Sequence, residues 1–169
     1  ALAVPLAARI GKKGAFAAAM GAAAVLSLFF FRLEPSELGW LFALQALVSV
    51  AAGVVLPLLW SMYADIVAYE EYRSGRRPTG LIFSSSSMSQ KLGWALGGAV
   101  TGWLLAAFGY DQSAAVQSGE AIAGVRLMMS WFPAAGCLLA AAAVLFYPLG
   151  EKRMERITTE LNLRRKTNE

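Results

Sequence analysis

Four apolar runs, each long enough to cross a bilayer as a helix, occupy most of the chain, and short patches between them hold almost all of its charge. This layout sets the fold class before any other feature is read. Among 169 residues, 57% are hydrophobic and only 15% charged, whereas a globular domain runs near 45–50% apolar and about 25% charged. A mean hydropathy of +0.53 exceeds what one small core can bury, because small domains keep much of their surface in water. The class is therefore all-α integral membrane protein. No run shows the strict alternation of a barrel strand. Soluble enzymes, disulfide scaffolds and disordered chains are disfavoured.

The expected spans are residues 15–31, 39–62, 81–108 and 127–149, all within a membrane unit of residues 15–149. The first is rich in alanine and ends in three phenylalanines. Ser36 is a candidate N-cap for the second, and Pro57 should kink its last third. The fourth carries Pro133 near its start and Pro148 near its end. Residues 1–14 read as the end of a preceding hydrophobic helix followed by a basic loop. The opening lacks both an initiator methionine and the charge order of a signal peptide, so the C-terminal part of a longer membrane protein is expected.

Lysine and arginine give the orientation. Residues 1–14, the loop between spans two and three, and the tail carry twelve of them, and the other two loops carry only Arg32 and Arg126. The basic side is cytoplasmic by the positive-inside rule. This predicts residues 33–38 and 111–124 outside, and residues 64–80 and 150–169 in the cytoplasm. The net charge of +4 thus reflects topology; a nucleic-acid partner is not indicated. In the tail, residues 150–169, Met154, Ile157 and Leu161 share one helical face. That face suits either the anionic leaflet or the cytoplasmic loops, and a solvated tail is the bland alternative.

The third span holds the main anomaly. Lys91 lies roughly 15 Å along a helix that should cross the membrane, where a cation is costly unless paired or hydrated. Ser84, Ser87 and Lys91 repeat at i, i+3, i+7 and form one polar stripe, suited to a cavity for a hydrophilic solute. The alternative is a lysine neutralised by a buried carboxylate for packing. Gly93 with Gly97, and Gly98 with Gly102, are small-xxx-small pairs that let a neighbouring helix approach. Asp65, Glu70, Glu71, Arg73, Arg76 and Arg77 crowd the second loop with Tyr63, Tyr69 and Tyr72. Asp65, Tyr69 and Arg73 would align on one face if the helix continues. Such a network can hold a gate or simply set topology. The chain has no histidine and one cysteine, Cys137, which excludes histidine-based metal sites and triads. No metal site or nucleophile pattern is seen, so an enzyme is not expected.

The stretch from Ala64 to Gly80, Ala-Asp-Ile-Val-Ala-Tyr-Glu-Glu-Tyr-Arg-Ser-Gly-Arg-Arg-Pro-Thr-Gly, resembles the loop signature of the glycoside–pentoside–hexuronide:cation symporters of the major facilitator superfamily. The family pattern is approximately A-D-x-x-D-Y-x-E-x-x-x-G-x-R-x-x-G. A serine-rich helix with an embedded lysine follows, here Lys91, then Gly97-Gly98, Gly102-Trp103 and Gly109-Tyr110. Arg9-Ile10-Gly11-Lys12-Lys13 is similar to the superfamily's short basic loop motif, without its acidic residue. The second aspartate of the pattern is Ala68 here.

The resemblance implies the end of helix 8 through helix 12 of a twelve-helix bundle in the plasma (inner) membrane. It implies symport of a sugar or glycoside with Na⁺ or H⁺ by alternating access, with the cation site in an N-terminal half outside this chain. Lys91 would be a charge partner for carboxylates of that half, and Ser87 a polar contact in the same cavity. Asp65, Tyr69, Glu71 and Arg77 would be gate or inter-half contacts. A non-transporting membrane scaffold or assembly subunit is the alternative.

Overall fold

The computed structural model describes residues 3–34 and 37–167. Its elements are α1 (Ala3–Phe29), a 3₁₀ turn (Phe30–Arg32), α2 (Leu38–Ser74), α3 (Thr79–Ala107), α4 (Gly119–Met129), α5 (Trp131–Leu145) and α6 (Glu151–Thr167). No strand occurs among the described residues. Ser36, the expected N-cap of the second span, lies outside them.

The segments 7–32, 38–74 and 119–145 are each long and apolar enough to cross a membrane. α3 has the length, but its serine run, Gln90 and Lys91 dilute its apolar character. α1 lies between α2 and α5. Its small residues allow the close approach that membrane helices need in place of hydrophobic drive. Ala15, Phe16 and Ala19 of α1, Val54, Leu58 and Met62 of α2, and Val144 of α5 form the shared core.

Two features of the chain path depart from the sequence expectation. The helix of the second span runs on through Pro57 and ends only at Ser74, so most of the expected second loop is helical. Gly75 stops it at φ 69°, a left-handed cap that glycine adopts without steric cost, and its N–H donates to Glu71 O at 3.0 Å. The helix leading into the fourth span begins at Gly119, ahead of the expected span start near Leu127. Ser118 caps it by accepting from the Ala121 N–H at 3.1 Å, and Glu120 suits the positive helix start. Residues 119–124 are thus helical, and Arg126 lies within α4 instead of in a loop. α4 gives way to α5 at Ser130. Pro133 has no N–H to give a fourth-residue-back carbonyl, so one straight helix cannot continue there. The buried Ser130 hydroxyl donates to Arg126 O at 2.6 Å.

The tail helix is docked by one face, with its remaining described side chains exposed. Met154, Ile157 and Leu161 of α6, with Leu149, bury themselves against Ile66, Ala68, Tyr69 and Tyr72 on the extension of α2 and against Tyr147. Of the two docking surfaces open to the sequence, the structure takes the protein surface.

Candidate functional site

The charged residues at the end of the bundle that carries Gly11, Ser74 and α6 fall into three separate contacts. In the first, Gly11 at φ 79° breaks α1 into two helical pieces. That conformation is cheap for glycine and strained for other residues. The reversal sets Lys12 against α2, where Lys12 Nζ lies 2.8 Å from Asp65 Oδ1 and 2.6 Å from Oδ2. Lys13, next in sequence, donates to Leu145 O at 2.6 Å and Tyr147 O at 3.3 Å. An ammonium at a helix C-terminus satisfies orphan carbonyls and complements the dipole. Two adjacent lysines thus tie α1 to both of its neighbours.

The second contact is Glu71 with Arg77, whose Oε2 and Nε are 3.6 Å apart across the Gly75 turn. Arg77 is largely exposed, so this pair contributes little to stability. The third is between α2 and α6. Arg153 lies over the Tyr69 ring at 5.1 Å from its centroid, and Arg164 over Tyr72 at 5.0 Å. Arg153 Nη2 also approaches Tyr69 Oη at 3.4 Å. Asp65, Tyr69, Glu71 and Arg77 therefore share one end of the bundle, but Asp65 pairs with Lys12 and Arg77 pairs with Glu71. A cavity of about 680 Å³ opens beside Lys12 and Asp65, with Arg9, Glu151 and Glu155 on its walls.

α3 presents the opposite situation. None of its residues is buried. Ser84 and Lys91 are exposed and Ser87 is half-buried. Ser84 and Ser86 return their hydroxyls to their own helix, donating to Leu81 O at 3.1 Å and Ile82 O at 2.7 Å. Neither Ser87 nor Lys91 makes a side-chain hydrogen bond or ion pair with another described residue. A Cβ added at Gly93, Gly97, Gly98 or Gly102 would meet nothing within 4 Å, so no helix of this chain uses either small-residue pair. α3 is anchored near its two ends. At one end Trp60 of α2 stacks on Phe83 at 5.6 Å, with Tyr63 edge-on to both rings. At the other, Phe108 packs onto Gly124 of α4, leaving no room for a Cβ there.

Sequence reasoning missed three participants. Lys12 and Lys13 were visible as a basic motif, but their partners are remote in the chain. Gln90 precedes Lys91 and has a buried Nε2 without a hydrogen-bond partner among the described residues. The stripe spacing passed over it, because it lies beside that stripe rather than on it. Among the described residues no group of three histidine, cysteine, aspartate or glutamate side chains could hold a metal ion. In the connection after α3, the Ser113 hydroxyl and N–H donate to Asp111, which holds that carboxyl below its ordinary value.

Comparison with known proteins places this geometry. The family model described as MFS/sugar transport protein matches residues 1–151. A protein named glucuronide carrier protein homolog, from Escherichia coli K12, is 34% identical over 162 residues, covering 96% of this chain and 35% of the relative. A putative glycoside/cation symporter of the same strain is 36% identical over 155 residues, covering 90% and 33%. An isoprimeverose transporter of Lactiplantibacillus pentosus is 42% identical over 98 residues, covering 58% and 20%. The chain spans about a third of the length of the first two. No solved structure matches. These relatives are carriers, and they favour neither the scaffold alternative nor an enzyme. With a family match over most of its length and an all-helical, membrane-spanning fold, the chain belongs to the MFS/sugar transport protein family.

Proposed function

We propose that this chain supplies the C-terminal helices of a secondary active carrier, which moves a sugar or glycoside together with Na⁺ or H⁺ by alternating access. The observation that carries the reading is α3. Its exposed Lys91 and two glycine pairs lie on a face of α3 that no other described helix covers, with Ser87 half-buried one turn away. A lysine facing lipid near midplane is costly, and intramembrane cations face a bundle interior or a wet cavity. A second six-helix half laid against α3 would cover the glycines and enclose the polar stripe, with the solute between the halves. Lys91 would then balance carboxylates of that half, and the coupling cation would bind among those carboxylates. Ser87, one turn away, would contact the solute.

The end bearing Asp65, Tyr69, Glu71 and Arg77 is assigned to the cytoplasm, with α6 there and the protein in the inner membrane. The Lys12–Asp65 pair joins two elements of the same half, so its gating role is to keep that half rigid as it rocks. Tyr69, Glu71 and Arg77 stand at the mouth, where the other half would meet them.

The test is cation-driven sugar uptake by full-length variants reconstituted at equal amounts of folded protein. Lys91→Met should abolish concentrative uptake, because it strands a buried negative charge in the other half. Lys91→Arg should rescue partially, since its planar fork is not equivalent to an ammonium. Normal concentrative uptake by Lys91→Met would overturn the coupling role.

A further inference from the structure

At the end of the bundle opposite Asp65, the 3₁₀ turn, the start of α2, the connection after α3 and α4 enclose a cavity of about 410 Å³. Its walls are almost wholly apolar, with Phe30, Leu41, Ile122 and Met129 among them, and it is open on one side. Apolar walls do not hold ordered water, and an exposed apolar groove of this kind marks a site for an apolar partner. In a bilayer the abundant apolar material is lipid.

Two charged residues border the cavity, Glu34 and Arg126. They have opposite signs, and neither side chain forms a hydrogen bond or ion pair with another described residue. Arg126 lies within the segment 119–145, which is long and apolar enough to cross a membrane; in such a segment a cation calls for an anionic partner. Its long stem can line an apolar wall while the guanidinium reaches the rim.

We propose that this cavity binds one zwitterionic phospholipid with a primary ammonium headgroup. An acyl chain fills the apolar walls, the phosphate meets Arg126 and the ammonium meets Glu34. The charge pair makes the choice of head. Guanidinium pairs with phosphate in a bidentate, charge-assisted geometry. An acidic lipid such as phosphatidylglycerol would set its phosphate near Glu34 with no cation to offset that carboxylate. A choline head has the charge but no N–H to donate. The inference requires insertion in a membrane and is independent of what the carrier transports.

The test is native mass spectrometry of the full-length carrier released from nanodiscs of equal phosphatidylethanolamine, phosphatidylcholine and phosphatidylglycerol. Wild type should retain phosphatidylethanolamine at about tenfold over phosphatidylglycerol, the size expected for one charge-assisted hydrogen bond. Arg126→Gln should lower that retention about tenfold, and Glu34→Gln should remove the preference over phosphatidylglycerol. Met129→Trp narrows the cavity while leaving both charges in place and should lower lipid retention. Should Arg126→Gln fail to fold, Glu34→Gln, at an exposed position, reads the same selectivity. Equal retention of the three lipids, or unchanged retention in Arg126→Gln, overturns the proposal. So does Met129→Trp with unchanged lipid retention. A Glu34–Arg126 coupling in thermal stability that survives delipidation also overturns it, since the two residues would then be partners of each other.

Discussion

The Lys12–Asp65 pair should be worth about 1–2 kcal/mol, a value bracketed by two limits. Fully exposed pairs contribute roughly 0.2–1 kcal/mol, and removing one partner of a buried pair costs about 3–5 kcal/mol. Here the Lys12 and Asp65 side chains are 31% and 15% exposed, and both carboxylate oxygens are engaged, at 2.8 and 2.6 Å. The geometry is good and the solvent screening partial, so the coupling falls between the limits. The assay is a double-mutant cycle of Asp65→Asn, Lys12→Met and the double variant, followed by equilibrium denaturation of the full-length carrier. These replacements keep the side-chain volumes and remove the charges. Each single variant should lose more than it would in the absence of its partner, and the difference is the coupling. The exchanged pair, Lys12→Asp with Asp65→Lys, should recover part of it. Turnover in Asp65→Asn should fall further than equilibrium sugar binding, because a less rigid half rocks less well. Single-variant effects that add within roughly 0.3–0.5 kcal/mol, the additivity expected of independent sites, would refute the reasoning. The pair would then be a contact without energetic weight.

Gly124→Ala should destabilise by about 1–3 kcal/mol through overpacking, because its Cβ would overlap Phe108; adding Phe108→Ala should relieve that clash in the same denaturation assay. Ile157→Asp should undock α6 from the α2 extension, raising hydrogen exchange across residues 151–167, while Arg153→Ala should cost only about 0.5–1 kcal/mol of cation–π contact and leave the helix docked. Gln90→Leu should be neutral or stabilising by up to about 1–3 kcal/mol, since it removes an unpaired buried donor; a clear loss of stability would mean that Gln90 has a partner in the complete carrier. With Cys137→Ser as background, an impermeant thiol reagent on intact cells should label a cysteine placed at Ser118 and spare one placed at Ser74; the reverse pattern would invert the orientation.

The helices were legible because their signals are local. Apolar length marked the spans, and the i, i+4, i+8 spacing of Asp65, Tyr69 and Arg73 already allowed a helix through the charged segment. Gly75 supplies the stop that this reading needed. The start of α4 was legible too. Ser118, followed by Glu120, is a cap with an acid in the first turn, but apolar content drew the expected boundary to Leu127. Ser130 was less accessible: Pro133 signals that a break must come before it, and only packing decides at which residue.

The contacts among the site residues belong to another class of information. Lys12 and Asp65 are 53 positions apart, Tyr69 and Arg153 are 84 apart, and no local spacing rule links either pair. What joins them is helix packing. The alanines of α1 bring α2 close, the Gly11 reversal aims Lys12, and the apolar face of α6 carries Arg153 and Arg164 onto the tyrosines of α2. The same logic explains why α3 reads so differently in sequence and in structure. Helical periodicity puts Ser84, Ser87 and Lys91 along one stripe, and the glycine pairs of α3 suit close approach by a helix. In this chain no helix takes up that surface. Asp65, Tyr69, Glu71 and Arg77 all find partners within the chain, so they brace a rigid unit. Lys91 and Ser87 do not, so the chemistry of the proposed carrier is to be sought on the open face of α3.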